Sequence, residues 1–513
     1  MIDDASPVAA GAQDCSAQPG LSPGLQALES RLAWEMAALQ LPAARWTPQH
    51  FYQGQAIADV VIVGGGMSGL ALCAALVHRG VQVDVYDESP EGFEGPWATT
   101  ARMETLRSPK QLAGPALGLP SLTFRAWYEA QWGAQAWSEL DKIPRMQWMA
   151  YLRWYRQVLN LPVHNQHRVT DVWPQADHTV ALRIEGPAGE VLQRRARRLV
   201  LATGRAGLGG PWVPPWVHSL PRSHWAHSAD SDDELDYATL KGLRVGVVGA
   251  GASAMDSAAT ALEAGADRVH MLVRRADIPR INKGKGAGSP GFVHGHGRLS
   301  DEWKWRVRHY IHTQQVPPPR GSTLRVSQHA NAFFHLGCEI QGAELQKQIQ
   351  EKNTSLLVRT SAGPIALDFL IFATGFSVDW AQRPMLRHLA AHVRTWGDRF
   401  KPPEGQHNPE LSASPDLGVH FEFQPKPGSE CLPEAVGLDR IHCFNYPAAL
   451  SLGVITGDIP AISEGALKLA TTLVGLLWAE DIDHHFDRMQ SFSEPEVLGD
   501  EWVASPLPSS PER

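Results

Sequence analysis

Residues 59–87 read DVVIVGGGMSGLALCAALVHRGVQVDVYD, and the order of chemistry along them decides the fold. A β-branched run, Val60 to Val63, meets Gly64-Gly65-Gly66-Met67-Ser68-Gly69; a helical pattern then runs to His78, and a second strand ends at Asp87. This is a βαβ unit with a dinucleotide-binding turn. Gly64 serves the tight strand-to-helix turn, Gly66 admits a pyrophosphate close to the backbone, and Gly69 lets helix and strand pack closely. The helix N-terminus then turns free N–H groups towards the phosphates. Asp87 follows Gly69 by 18 residues, close to the spacing at which a carboxylate accepts hydrogen bonds from a ribose diol. The unit therefore reads as a site for an unphosphorylated adenosine ribose. GxGxxG alone is weak; the strand, helix and acidic residue around it supply the specificity.

A second unit follows. Leu243 to Val248 is a buried strand, Gly249-Ala250-Gly251-Ala252-Ser253-Ala254 is its turn, a helix runs through Glu263, and a strand spans Arg268 to Val273. Here the far end carries Arg274 and Arg275 in place of an acid. A cation at that place suits a ribose 2′-phosphate and would not serve a free diol. The second site is thus predicted to take NADPH over NADH. Each unit is followed by a similar corner, RLVLAT (Arg198 to Thr203) with Gly204 and FLIFAT (Phe369 to Thr374) with Gly375.

Composition bounds the rest. A chain of 513 residues with 43% apolar and 19% charged residues has length for two or three domains and an ordinary globular core. The net charge of −8 argues against nucleic acid as a partner. The densest cationic run, Arg194 to Arg198, precedes an apolar strand and reads as a solvated loop. Five scattered cysteines form no CxxC pair, so neither a redox dithiol nor a zinc site is encoded. His294, His296 and His309 lie close in sequence, yet no carboxylate or cysteine completes a metal geometry. The start, MIDDASPVAA, does not read as a signal peptide, and apolar stretches such as Leu469 to Ala479 fall short of a membrane span. A cytoplasmic enzyme is the expectation, with no membrane partner and a possible homo-oligomeric state left open.

Met1 to Leu21 reads as disordered, and Pro23 to Leu41 has helical apolar spacing. Met103 to Tyr128 is too rich in Pro and Gly for a long helix and reads as a structured loop; Pro144 to Leu159 reads as a helix. Ser228 to Gly242 turns acidic and polar, like a linker, and Asp277 to Pro319 reads as a long irregular loop. Near the end come a strand-like run from Leu450 to Ile455, then Gly457-Asp458, and a last amphipathic helix, Ile462 to Trp478.

Two dinucleotide units in this order, the first acidic-ended and the second basic-ended, each followed by an ATG corner, resemble the NADPH-dependent flavoprotein monooxygenases. These include the flavin-containing, Baeyer–Villiger and N-hydroxylating enzymes. Gly95-Pro96-Trp97 is similar to a Gly-x-Trp loop beside the flavin, and Leu106-Arg107-Ser108-Pro109-Lys110 to the flavin-side loop. Pro144-Arg145, Trp148, Tyr151-Leu152 and Trp154 resemble the N-hydroxylating family's Pro-x-Arg helix, and Gly251-Ala252-Ser253-Ala254 its GQSA turn. The FxGxxxH fingerprint of the other two groups falls on Pro221 to His227, where only His227 survives.

The resemblance implies an α/β fold of two Rossmann-like three-layer domains, the NADPH domain inserted into the FAD domain. The expected division is an N-terminal segment and helix (1–50), the first part of the FAD domain (51–228), the NADPH domain (229–375), and the second part of the FAD domain with the C-terminal helix (376–513). FAD would be held by Gly64, Gly66, Gly69, Asp87, Trp97, Thr203, Gly204 and Asp458, and NADPH by Gly249, Gly251, Ser253, Arg274, Arg275, Thr374 and Gly375. The implied reaction is oxygenation of a small organic substrate with dioxygen through a flavin C4a-hydroperoxide, N-hydroxylation or S-oxidation ahead of Baeyer–Villiger insertion. Arg107 or Lys110 could stabilise developing negative charge in a dry pocket. A flavin oxidoreductase without oxygen insertion and a non-catalytic FAD/NADPH sensor are the rivals.

Overall fold

Val60 to Val63 are all buried, as a continuous apolar run must be when helices cover both faces of a parallel sheet. The computed structural model describes residues 22–347, 354–429, 432 and 435–507; the disorder expected for Met1 to Leu21 lies outside them. The chain opens on helix α1 (Pro23–Ala38), capped by the Ser22 hydroxyl, with Leu25, Leu28 and Leu32 on its buried face. Strand β1 (Gln55–Val63), helix α2 (Met67–Val77) and strand β2 (Val83–Tyr86) form the first unit. Helices α3 (Phe124–Glu139) and α4 (Arg145–Val158) follow, then strand β3 (Val191–Leu201), which runs parallel to β1.

The chain then leaves for a second sheet, all of it parallel. Its members include β4 (Trp225–His227), β5 (Arg244–Val248), β6 (Arg268–Val273) and β7 (Phe369–Phe372), with helix α5 (Ala252–Glu263) joining β5 to β6 and helix α6 (Asp301–Gln314) beyond β6. It returns through β8 (Ile441–Cys443), parallel to the end of β3, and closes with α7 (Ile462–Glu480) against α2. The second dinucleotide unit is therefore inserted into the first. Ion pairs Arg102–Asp232 at 2.8 Å and Arg325–Glu104 at 3.5 Å join the loop before α3 to the inserted part.

Five sequence expectations change. The run Leu450 to Ile455 is helical, with a short helix Ala449–Leu452 and a 3-10 turn Gly453–Thr456. A short buried apolar run has no diagnostic period; Pro447 starts the turn and Gly453, at φ +83°, ends the helix. The stretch 277–319 is not irregular throughout: it holds a helix at Pro290–Gly295 and all of α6, whose Trp305 is fully buried against Trp396 and Phe400. Arg194 to Arg198 lies within β3, not in a solvated loop. Arg197 and Arg198 are buried because Asp59, Glu480 and Asp481 meet them across the fold. The acidic linker from Ser228 to Gly242 is packed, with Leu235, Tyr237 and Leu240 in the second core. Finally, Ile459–Glu480 is long and apolar enough by length and composition to cross a membrane, yet Ile462, Ala466, Leu469, Leu473 and Leu477 are buried in the first core.

Candidate functional site

The first cradle forms where β1 meets α2. Gly64 has φ +104°, and a Cβ there would lie 2.6 Å from the Ala202 carbonyl oxygen; at Gly69 it would lie 1.9 Å from the Gly64 carbonyl oxygen. Gly66 differs. Its nearest neighbour would be the Gly95 Cα at 3.6 Å, so the protein leaves space where a pyrophosphate must approach. Gly66 is also the N-cap of α2 and brings no side-chain cap, which leaves the first N–H groups open to an anion. Asp87 accepts the Gly65 N–H at 2.6 Å and the Ser89 N–H at 2.8 Å. A carboxylate has about four acceptor positions, so capacity remains for a ribose diol.

The corner after β3 joins this cradle. Ala202 donates to the Val63 carbonyl at 2.9 Å, and the Thr203 hydroxyl accepts from Asn445 at 3.2 Å. Cys443 donates to the other end of that amide at 3.0 Å and fixes its orientation. Trp97 stands half-buried, edge-on to Trp148, and its carbonyl accepts from Arg145. These donors, glycines and carboxylate fit an FAD.

The second cradle repeats the construction. Gly249 has φ +127° and would place a Cβ 2.8 Å from the Ala373 carbonyl oxygen, while Gly251, the uncapped N-terminus of α5, faces open space. Ser253 is exposed in the same turn. Thr374 donates to the Trp212 carbonyl and Gly375 accepts from the Trp212 N–H at 3.0 Å. Past β6, Arg274 is exposed; Arg275 donates to the Thr313 carbonyl at 2.7 Å and lines a cavity of about 330 Å³ with Arg280, Lys283 and Asp277, the last paired with Arg280 at 2.7 Å. That cationic cavity fits a phosphorylated ribose.

Between the cradles lie the groups expected near the reacting atoms. Arg107 reaches the Pro317 carbonyl at 3.4 Å; desolvation lowers its pKa, Arg205 adds to that, and Asp256 and Asp458 oppose it. Asp458 makes no side-chain cap to the turn it precedes, and burial raises its carboxyl against the pull of Arg107. Lys110 is a correction. Its ammonium donates to the carbonyls of Trp137, Ser138 and Leu140 at the end of α3. With all three donors engaged, it closes a helix terminus and has none left for an oxygen anion. His227 is buried in β4, where desolvation pushes its ring down to about 4 and keeps it neutral.

Comparison with known proteins supplies the family and its cofactors. Residues 61–206 match a family described as FAD-NAD(P)-binding, and residues 136–287 match one described as L-lysine 6-monooxygenase/L-ornithine 5-monooxygenase. The FAD-dependent urate hydroxylase of Xanthomonas campestris pv. campestris is 38% identical over 481 residues, 93% of this chain and 98% of that protein. The chain belongs to the flavin-dependent monooxygenases. Two solved structures share the monooxygenase fold at low identity. The ornithine hydroxylase of Pseudomonas aeruginosa aligns with a TM-score of 0.60 at 16% identity, over 82% of this chain and 100% of that one. The ornithine N-hydroxylase of Kutzneria sp. 744, described with reduced FAD, NADP+ and L-ornithine, aligns with a TM-score of 0.61 at 18% identity, over 82% and 99%.

FAD and NADPH are thus the cofactors of this monooxygenase. Sequence reasoning missed Asn445, which ties β8 to the Thr203 corner; it placed Gly95 in a loop beside the flavin, and the fold sets it against Gly66. It also missed Arg205, the residue directly after the first ATG corner, whose guanidinium lies over the rings of Tyr446 and Phe376. A cation at the carboxyl end of a buried strand was the available signal.

Proposed function

We propose that this monooxygenase hydroxylates urate, with urate, O2, NADPH and one proton giving hydroxylated urate, NADP+ and water. One oxygen atom enters the substrate and the other leaves in water, so two electrons from NADPH balance the reaction. The observation that carries this reading is the 38% identity to a urate hydroxylase along 98% of that protein. Bound FAD supplies the oxygen-activating chemistry and NADPH the hydride.

The chain's own residues then have these tasks. The open N–H groups at Gly66 and the carboxylate of Asp87 hold the flavin nucleotide, with Trp97, Thr203 and Gly204 around it. Gly249, Gly251 and Ser253 hold the NADPH phosphates, Thr374 and Gly375 border them, and Arg274 with Arg275 reads the 2′-phosphate. Residues 51–228 and 376–513 serve FAD and 229–375 serve NADPH. Asp458, free of a capping bond, would accept hydrogen bonds from the ribityl hydroxyls. Arg107, an exposed cation beside Arg205, would stabilise negative charge that develops during oxygen transfer.

A second reading, N-hydroxylation of an amine, is favoured by the lysine/ornithine monooxygenase match over residues 136–287. A panel of urate, lysine, ornithine, a thioether and a ketone separates them, with NADPH consumption and hydrogen peroxide counted together. Urate alone should draw NADPH oxidation without equivalent peroxide. Coupled turnover of an amine with none of urate would replace the first reading by the second.

A further inference from the structure

The two ATG corners and the chain after β8 bring one cation into an unusual setting. Arg205 follows Gly204 at the end of β3, Tyr446 follows Asn445 beyond β8, and Phe376 follows Gly375 beyond β7. The Arg205 guanidinium carbon lies 4.8 Å from the centre of the Tyr446 ring and 5.4 Å from that of Phe376. Among the described residues no hydrogen bond or ion pair engages this guanidinium, and the residue is exposed. Aromatic faces hold a cation by their quadrupole without using its N–H donors. The five donors of the guanidinium fork are therefore free and their direction is restricted.

We propose that Arg205, held by Tyr446 and Phe376, is the recognition point for the anionic edge of the substrate. This inference rests on the urate reading. Urate at neutral pH is a planar monoanion whose carbonyl oxygens flank ring nitrogens, an edge that a planar fork meets with two parallel hydrogen bonds. The position suits it. Arg205 stands at the carboxyl ends of strands from the FAD sheet, and Phe376 comes from the carboxyl end of the other sheet, so the group lies where the two halves meet. Ligands of open parallel sheets bind at such ends.

Both pyrophosphates already have uncapped helix N-termini at Gly66 and Gly251, so neither requires Arg205. The His227 ring, 5.9 Å from Phe376, is neutral and adds no charge of its own. Arg107 lies near enough for Arg205 to act on its charge and brings a second cation to the neighbourhood. An alkylammonium substrate would meet repulsion from both arginines. The site thus discriminates in favour of a flat anion.

The test uses FAD-loaded wild type, Arg205→Gln and Arg205→Lys. Urate binding is read from the flavin difference spectrum without oxygen, and urate and NADPH half-saturation from steady-state turnover. Loss of a charge-assisted pair should weaken urate binding by about tenfold or more in Arg205→Gln, with partial recovery in Arg205→Lys, and leave FAD content and NADPH half-saturation within about twofold. Urate affinity unchanged in Arg205→Gln, with wild type turning urate over, overturns the inference alone. So does a rise in NADPH half-saturation equal to that for urate, which would make Arg205 a coenzyme contact. A wild type that neither binds nor oxidises urate overturns the substrate reading and this inference with it.

Discussion

Gly69 packs so tightly on Gly64 that a Cβ at Gly69 would lie 1.9 Å from the Gly64 carbonyl oxygen, whereas a Cβ at Gly66, three residues earlier, would meet nothing nearer than 3.6 Å. Two glycines of one motif therefore differ: packing requires Gly69, whereas only the proposed pyrophosphate contact would require Gly66. Gly66 is extended, with φ −69° and ψ −176°, a conformation open to any residue.

The two substitutions should separate accordingly. Gly66→Val should give folded, colourless protein with FAD content near zero, since its branch fills the pyrophosphate space. Gly69→Ala forces backbone apart and should cost about 3 kcal/mol or more of stability. Thermal melting and flavin absorbance together check both. A yellow Gly66→Val protein with full FAD would sink the cradle assignment.

The coenzyme preference should reside in the pair after β6. Replacing Arg274 and Arg275 with Ala should raise the NADPH half-saturation by a factor equivalent to ~2–4 kcal/mol while NADH is nearly unaffected. Equal effects on both coenzymes would reduce the pair to surface charge.

Much of this was legible in the sequence for a local reason. A βαβ unit is written within about thirty residues, so both turns, both ATG corners, α4 and α7 could be read directly. Partners far apart could not. Arg197 meets Asp481 across 284 positions, which is why a buried ion-pair network read as a solvated cationic run. Lys110 meets the end of α3 roughly thirty residues on, and only the fold shows that its donors are engaged. Arg205 meets Tyr446 and Phe376 through three separate strand ends. Trp305 made α6 an ordered element, and its partners Trp396 and Phe400 lie beyond β7.

The Arg197 network predicts a stability effect remote from the cradles. Its guanidinium forks onto Asp481 at 2.8 and 3.0 Å and reaches Asp59 at 3.3 Å, with both carboxylates buried. Arg197→Leu leaves those charges under-compensated and should cost about 3–5 kcal/mol, read by urea denaturation. A midpoint equal to the parent's would show that Arg45 and the hydrogen bond from His50, the other partners of these acids, suffice.

Acid sensitivity follows from buried neutral histidines. Desolvation lowers His78, His227 and His296 to about 4 and His442 to about 3. A histidine depressed on folding contributes stability that is full above its ordinary value and is lost as pH falls towards the folded value, because the unfolded chain takes up the proton first. Stability should therefore fall between about pH 6.5 and pH 4, by on the order of 1 kcal/mol per pH unit for each such histidine. His296→Gln should lose less between about pH 7 and pH 5 than the parent does. Identical losses in parent and variant would contradict the assignment.

Oxygen transfer itself is tested most directly by the fate of labelled dioxygen. FAD-loaded enzyme is given NADPH, urate and isotopically heavy O2, and the product is examined by mass spectrometry while peroxide is measured in parallel. The account predicts product carrying a single heavy oxygen atom, formed in step with NADPH consumed and with little peroxide. Unlabelled urate recovered intact, with peroxide equal to the NADPH consumed, would contradict it.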